Sequence, residues 1–163
     1  DKLLGGPQSG VVIGQQAWVE KLAKHPLARA FRIDKTNLAA LMATLLHYIK
    51  NDVTSQVPVW RMISATSDEL RTRAELLRDR LAISSDVVNS KSTIGGGSLP
   101  GEMLETSVIT IATTHPQIIA QRLRNQDHPV IARIEGDQVL IDIRTVLEEE
   151  EEYLVNSVRG AFG

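Results

Sequence analysis

The chain has 163 residues, 42% of them hydrophobic and 23% charged, enough for one ordinary domain or one small domain with an appendage. A net charge of −2 lacks the basic excess of a nucleic-acid-binding surface, and the absence of cysteine excludes disulfides, thiolate catalysis and cysteine-based zinc sites. No apolar run approaches the ~18 residues of a membrane span, and the first residues show no signal-peptide pattern, so Asp1 reads as a cut inside a longer cytoplasmic α/β protein.

The first stretch, DKLLGGPQSG, sets Lys2 beside a Gly-Gly-Pro turn, and GVVIG at 10–14 reads as a short buried strand. Trp18, Val19, Leu22 and Ala23 recur at helical spacing until His25-Pro26 ends the helix. After Asp34 comes the clearest helix, in which Leu38, Leu41, Met42, Leu45, Leu46 and Ile49 form one apolar stripe. The polar stretch NDVTSQV (51–57) breaks that pattern and divides the chain into 1–50 and 57–163.

Beyond the boundary, VPVWRMI (57–63) reads as a strand, and Ser67 opens a charged amphipathic helix with Leu70, Ala74, Leu77 and Leu81 inward. Residues 86–89 form a further strand, and STIGGGSLPG (92–101) is too glycine-rich for a regular element. SVITIA (107–112) is a strand, after which Thr113 or Thr114 caps a helix with Pro116 in its first turn. PVIARIE, Gly136-Asp137 and QVLIDI give a hairpin over 129–143, and a last helix runs from about Glu148 to Arg159. The second block therefore predicts a small antiparallel sheet with helices on one face, whereas the first block is too small to close a core alone.

Few residues suggest chemistry. Lys2 sits in a glycine-rich turn that could bring a cofactor ring close to the backbone for Schiff-base formation; the alternative is an ordinary solvated lysine. Arg29 and Arg32, three residues apart in HPLARAFRIDK, would share one face of a helical turn and could clamp an anion, with Lys35 nearby, or could simply be solvated. GGGSLPG (95–101) could bind phosphate through backbone N–H groups or be a structural turn. The histidines at 25, 47, 115 and 128 have no metal-type spacing, and the acidic run Glu148–Glu152 suits the N-terminal end of a helix.

Four blocks, DKLLGGPQSG, HPLARAFRIDKTNLAAL, IGGGSLPG and PVIARIEGDQVLIDIRTVL, carry a resemblance that spacing does not. In this order they resemble bacterial selenocysteine synthases, the L-seryl-tRNA(Sec) selenium transferases, across nearly the whole chain. The resemblance implies the C-terminal part of a fold-type I enzyme dependent on pyridoxal 5′-phosphate (PLP). On that basis 1–50 is the end of the PLP-binding large domain, with its long connecting helix, and 57–163 is a small α+β domain.

It further implies that Lys2 carries PLP as an internal aldimine and serves in α-proton transfer, and that Arg29 and Arg32 hold the anionic selenium donor, selenophosphate. The implied reaction converts seryl-tRNA(Sec) to selenocysteinyl-tRNA(Sec) through an aminoacrylyl intermediate. The tRNA would be held mainly by an N-terminal region outside this chain, in a homo-oligomeric ring of dimers. Ser9, Phe31 and Thr93 depart from the family pattern, and Phe31 between the two arginines bears on the donor pocket. Two other readings are a fold-type I PLP lyase or transferase acting on a small amino acid without tRNA, and a non-catalytic assembly module. In every case residues 1–163 alone are expected to lack catalysis.

Overall fold

The computed structural model describes residues 2–95 and 97–163, and the chain divides into two compact units, Asp1–Arg61 and Met62–Gly163. The division falls a few residues beyond the polar stretch 51–57, because that stretch is itself largely helical.

The first unit is built from helices. After a 3-10 turn at Lys2–Leu4 come α1 (Gln16–Lys24), a second 3-10 turn (Pro26–Arg29), α2 (Lys35–Lys50), α3 (Val53–Gln56) and the start of α4 (Pro58–Ser64). His25 ends α1, and the Asp34 carboxylate caps α2 by accepting the Asn37 N–H at 2.9 Å. At its other end α2 stops at Asn51, which takes the left-handed conformation common after a helix.

Two expected strands are absent. Residues 10–14 form no strand, and Ile13 is 92% exposed. A strand needs a neighbour for its backbone groups, and among the described residues nothing pairs with this segment. Residues 57–63 are the second correction. Pro58 fits the first turn of a helix, where no N–H is needed, and the Trp60 and Arg61 N–H groups both reach the Val57 carbonyl at 3.0 Å.

The second unit continues with α5 (Ser67–Leu81), β1 (Asp86–Thr93), β2 (Met103–Ala112), α6 (Pro116–Arg124), β3 (Arg133–Glu135), β4 (Gln138–Asp142) and α7 (Glu151–Phe162). Its four strands form an antiparallel sheet in the order β1-β2-β4-β3. β1 is longer than its apolar residues suggest: it pairs through Thr93, into the segment 92–101 whose glycines pointed to no regular element. Pairing of Ile109 with Ile141 and of Ile111 with Val139 puts four branched side chains on one face. Against them pack Ala74, Leu77 and Leu81 of α5, Ile119 and Leu123 of α6, and Leu154, Val155 and Val158 of α7. This is the expected small sheet with its helices on one face.

The opposite face carries a polar knot. Thr106 donates to Asp142 at 2.8 Å, Ser92 donates to the same carboxylate, and the Arg144 N–H reaches it at 3.1 Å. The Arg144 guanidinium is buried and donates to the carbonyls of Met62, Ala65 and Glu105. Burial pulls it below its ordinary value, while the Asp142 charge opposes the shift. The cap of α6 is His115, whose N–H reaches the Thr113 hydroxyl at 3.3 Å, so Thr113 serves the turn before the helix and not its first N–H groups. The acidic run is only partly solvated: Glu151 accepts Arg73 at 2.8 Å, and Arg80 pairs with Glu152.

Candidate functional site

Lys2 lies at the start of a turn whose carbonyls all have partners. The Gly5 N–H donates to the Lys2 carbonyl at 3.1 Å. The Tyr48 hydroxyl donates to the carbonyl of Leu4 at 2.9 Å, with that of Leu3 at 3.2 Å, and accepts the Trp60 indole N–H at 2.6 Å. Lys2 is exposed and holds φ at +55°, in the left-handed region that a side chain disfavours.

The two glycines let this turn press onto the protein. Gly5 has φ +85°, and a Cβ there would lie 2.3 Å from Val57 Cγ1; one on Gly6 would lie 3.0 Å from Thr44 Oγ1. The sequence pointed to space for a cofactor ring at these glycines. Val57 and Thr44 lie on the side of these glycines that a Cβ would take. The face of α2 used within the unit is therefore Leu41, Thr44 and Tyr48, spaced i, i+3 and i+7 beside the leucine stripe. Leu41 is buried and the other two are half-buried. Tyr48 and Trp60 were missed from sequence, although a threonine and a tyrosine in register with Leu41 were the available signal.

Arg29 and Arg32 are both exposed, but they do not share a helical face. The 3-10 turn ends at Arg29 with Ala30 as its cap, and Arg32 lies in irregular chain before α2. Neither guanidinium has an ion pair among the described residues. The two positive charges thus stand open to an anion from outside this chain.

Two features of the second unit look less like a site. In the glycine loop the Ser98 and Leu99 N–H groups both donate to the Gly95 carbonyl at 3.1 Å, and Glu102 N–H to Leu99 at 3.2 Å. Those donors are spent on the turn and not offered to a phosphate; Gly96 lies outside the described residues. A cavity of about 630 Å³ opens between β4, residues 128–133 and α7. Its polar lining is already engaged: Asp142 by Ser92 and Thr106, Glu150 by the Leu147 N–H, and the Tyr153 hydroxyl by the His128 backbone.

Residues 1–147 match the family described as L-seryl-tRNA selenium transferase. The chain belongs to that family. It is 43% identical over 160 residues to the L-seryl-tRNA(Sec) selenium transferase of Carboxydothermus hydrogenoformans, covering 94% of this chain and 34% of that protein. The Geobacter sulfurreducens protein of the same name is 40% identical over 168 residues, covering 98% and 36% respectively. The chain thus spans about a third of the length of these relatives, in their C-terminal part. Among solved structures, a D-glucosaminate-6-phosphate ammonia-lyase superposes with a TM-score of 0.52 at 20% identity, covering 91% of this chain and 38% of that one. The two share a fold.

Family membership makes PLP the group to test against this chain. The residue that fits it is Lys2, an exposed primary amine on a held turn. The glycine pair beside it fits protein packing.

Proposed function

We propose that the protein to which this chain belongs is a cytoplasmic, homo-oligomeric PLP enzyme that converts seryl-tRNA(Sec) to selenocysteinyl-tRNA(Sec) with selenophosphate. The observation that carries this reading is the family match over residues 1–147, which includes the Lys2 turn and the Arg29–Arg32 segment. In the same reading Asp1–Arg61 is the end of the PLP-binding large domain and Met62–Gly163 the small domain. PLP bound through Lys2 supplies an electron sink for the bond changes at the serine carbons.

The chain's own residues have distinct parts. The Lys2 amine forms the covalent link and, when free, takes the serine α-proton. Arg29 and Arg32, always charged and without an ion pair among the described residues, bind the donor phosphate. Their openness suits a ligand or a neighbouring segment from outside this chain, and the tRNA is held chiefly by the rest of the protein. No helix among the described residues is long and apolar enough to cross a membrane.

The test is made on the intact protein. Borohydride reduction and peptide mapping should place the label on Lys2, and Lys2→Ala should abolish both label and selenium transfer. Arg29→Ala or Arg32→Ala should weaken use of selenophosphate by about 2 kcal/mol, roughly 30-fold, while capture of seryl-tRNA survives. Label on another lysine overturns the assignment, and turnover of a free amino acid without tRNA would favour a lyase.

A further inference from the structure

The turn that carries Lys2 cannot hold itself. It is three residues long, and among the described residues the backbone bond that closes it runs from the Gly5 N–H to the Lys2 carbonyl. A 3-10 turn of that length is marginal in water, and a non-glycine residue at φ +55° relaxes unless its surroundings oppose it. What opposes it comes from residues 44 or more positions away in sequence: the Tyr48 hydroxyl on the Leu3 and Leu4 carbonyls, oriented in turn by the Trp60 indole N–H. A phenol has one proton to give and lone pairs to receive one. By occupying the acceptor side, Trp60 turns the Tyr48 proton toward the turn.

We propose that Tyr48, set by Trp60, is the positioning residue for Lys2: it holds the lysine in the left-handed conformation from which its amine meets an aldehyde cofactor. This rests on Lys2 being the cofactor lysine. Neither ring touches the reacting atoms in this role. Their effect passes through the peptide planes of residues 3 and 4, which fix the direction in which the Lys2 side chain leaves the backbone. The linkage formed by a lysine held at one angle differs in proton affinity from one that is free to relax, so the clamp has a spectroscopic signature separate from stability.

The experiment uses the intact protein and compares Tyr48→Phe, which removes only the hydroxyl, and Trp60→Phe, which removes the indole donor, with the parent. The cofactor is stripped and pyridoxal 5′-phosphate added back. The rate of capture at Lys2, read by borohydride trapping and peptide mapping, should fall about 3- to 10-fold in Tyr48→Phe. The pH midpoint of the bound cofactor's absorbance should move by about half a unit. Trp60→Phe should shift both in the same direction by less, and circular dichroism should match the parent for both variants. Unchanged capture rate and midpoint in a folded Tyr48→Phe protein overturn the proposal. Unfolding of both variants also overturns it, because the bond would then serve the fold at large. Trapping on a lysine other than Lys2 in the parent instead removes the reading on which the proposal rests, a distinguishable failure.

Discussion

Gly5 shows how much one residue decides here. Its φ of +85° and the 2.3 Å approach of Val57 Cγ1 to a virtual Cβ are two independent obstacles to a side chain. Gly5→Ala should therefore cost about 1–3 kcal/mol from backbone strain alone, which would speed exchange of the Gly5 amide about 5- to 150-fold. Adding Val57→Ala should recover the steric part and leave the backbone part, so the double variant falls between parent and single variant. Equal exchange in parent and Gly5→Ala would show that the turn does not rest on Val57. At this scale the sequence was half legible. The Gly-Gly pair beside Lys2 marked a special turn, but not that the glycines admit Val57 and Thr44. Contacts between residues 5 and 57, or 48 and 4, leave no trace in local spacing. The shared helical face expected of Arg29 and Arg32 is absent for a related reason: three-residue spacing predicts it only where the helix continues, and here it ends at Arg29.

At the scale of elements, periodic helices with capping chemistry were the most readable. Thr66 and Glu69 form a reciprocal cap of α5: the Thr66 hydroxyl accepts the Glu69 N–H at 3.3 Å, and the Glu69 carboxylate accepts the Thr66 N–H at 2.8 Å. The Thr66 backbone N–H, followed by its hydroxyl, holds the Glu69 carboxyl below its ordinary value. A carboxylate lowered in the folded state contributes above its unfolded value and loses that contribution as pH falls through the folded one. Protection of the first-turn amides of α5 should thus fall in acid, below the ordinary glutamate range. Glu69→Gln, which can still cap, should flatten this dependence, and Thr66→Ala should cost about 1 kcal/mol at neutral pH. A pH profile identical in parent and Glu69→Gln would remove the carboxylate from the cap. Two short apolar runs were the misread elements. GVVIG and VPVWRMI have the same β-branched flavour, yet the first forms no regular element and pairs with no strand among the described residues, while the second is helical from Pro58. In neither did propensity decide the outcome: the first has no neighbouring strand among the described residues, and the second is set by how its N–H groups meet Val57.

At the scale of the whole molecule, the two units differ in how far each closes its own core. Met62–Gly163 buries Leu70, Leu77, Ile109, Ile111, Leu123 and Val158 to within 2% of full burial. In Asp1–Arg61 the only buried side chains among the described residues are Leu41 and Val57, while Met42 and Ile49 of the α2 stripe are 58% and 75% exposed and Phe31 is 82% exposed. The stripe that announced α2 in the sequence is thus real as a helix but does not supply this chain's core. Apolar area left in water stabilises nothing and favours association. Residues 62–163 expressed alone should unfold in one cooperative transition and stay monomeric, since a core of about 100 residues is a common domain size. Residues 1–163 should bind a hydrophobic dye and self-associate as concentration rises, with slow amide exchange confined beyond residue 62. Replacing Met42 and Ile49 with glutamine should suppress that association without touching the Leu41–Thr44–Tyr48 face. A monomeric, dye-silent 1–163 chain, with equal protection in both units, would show that the first unit completes its own core after all.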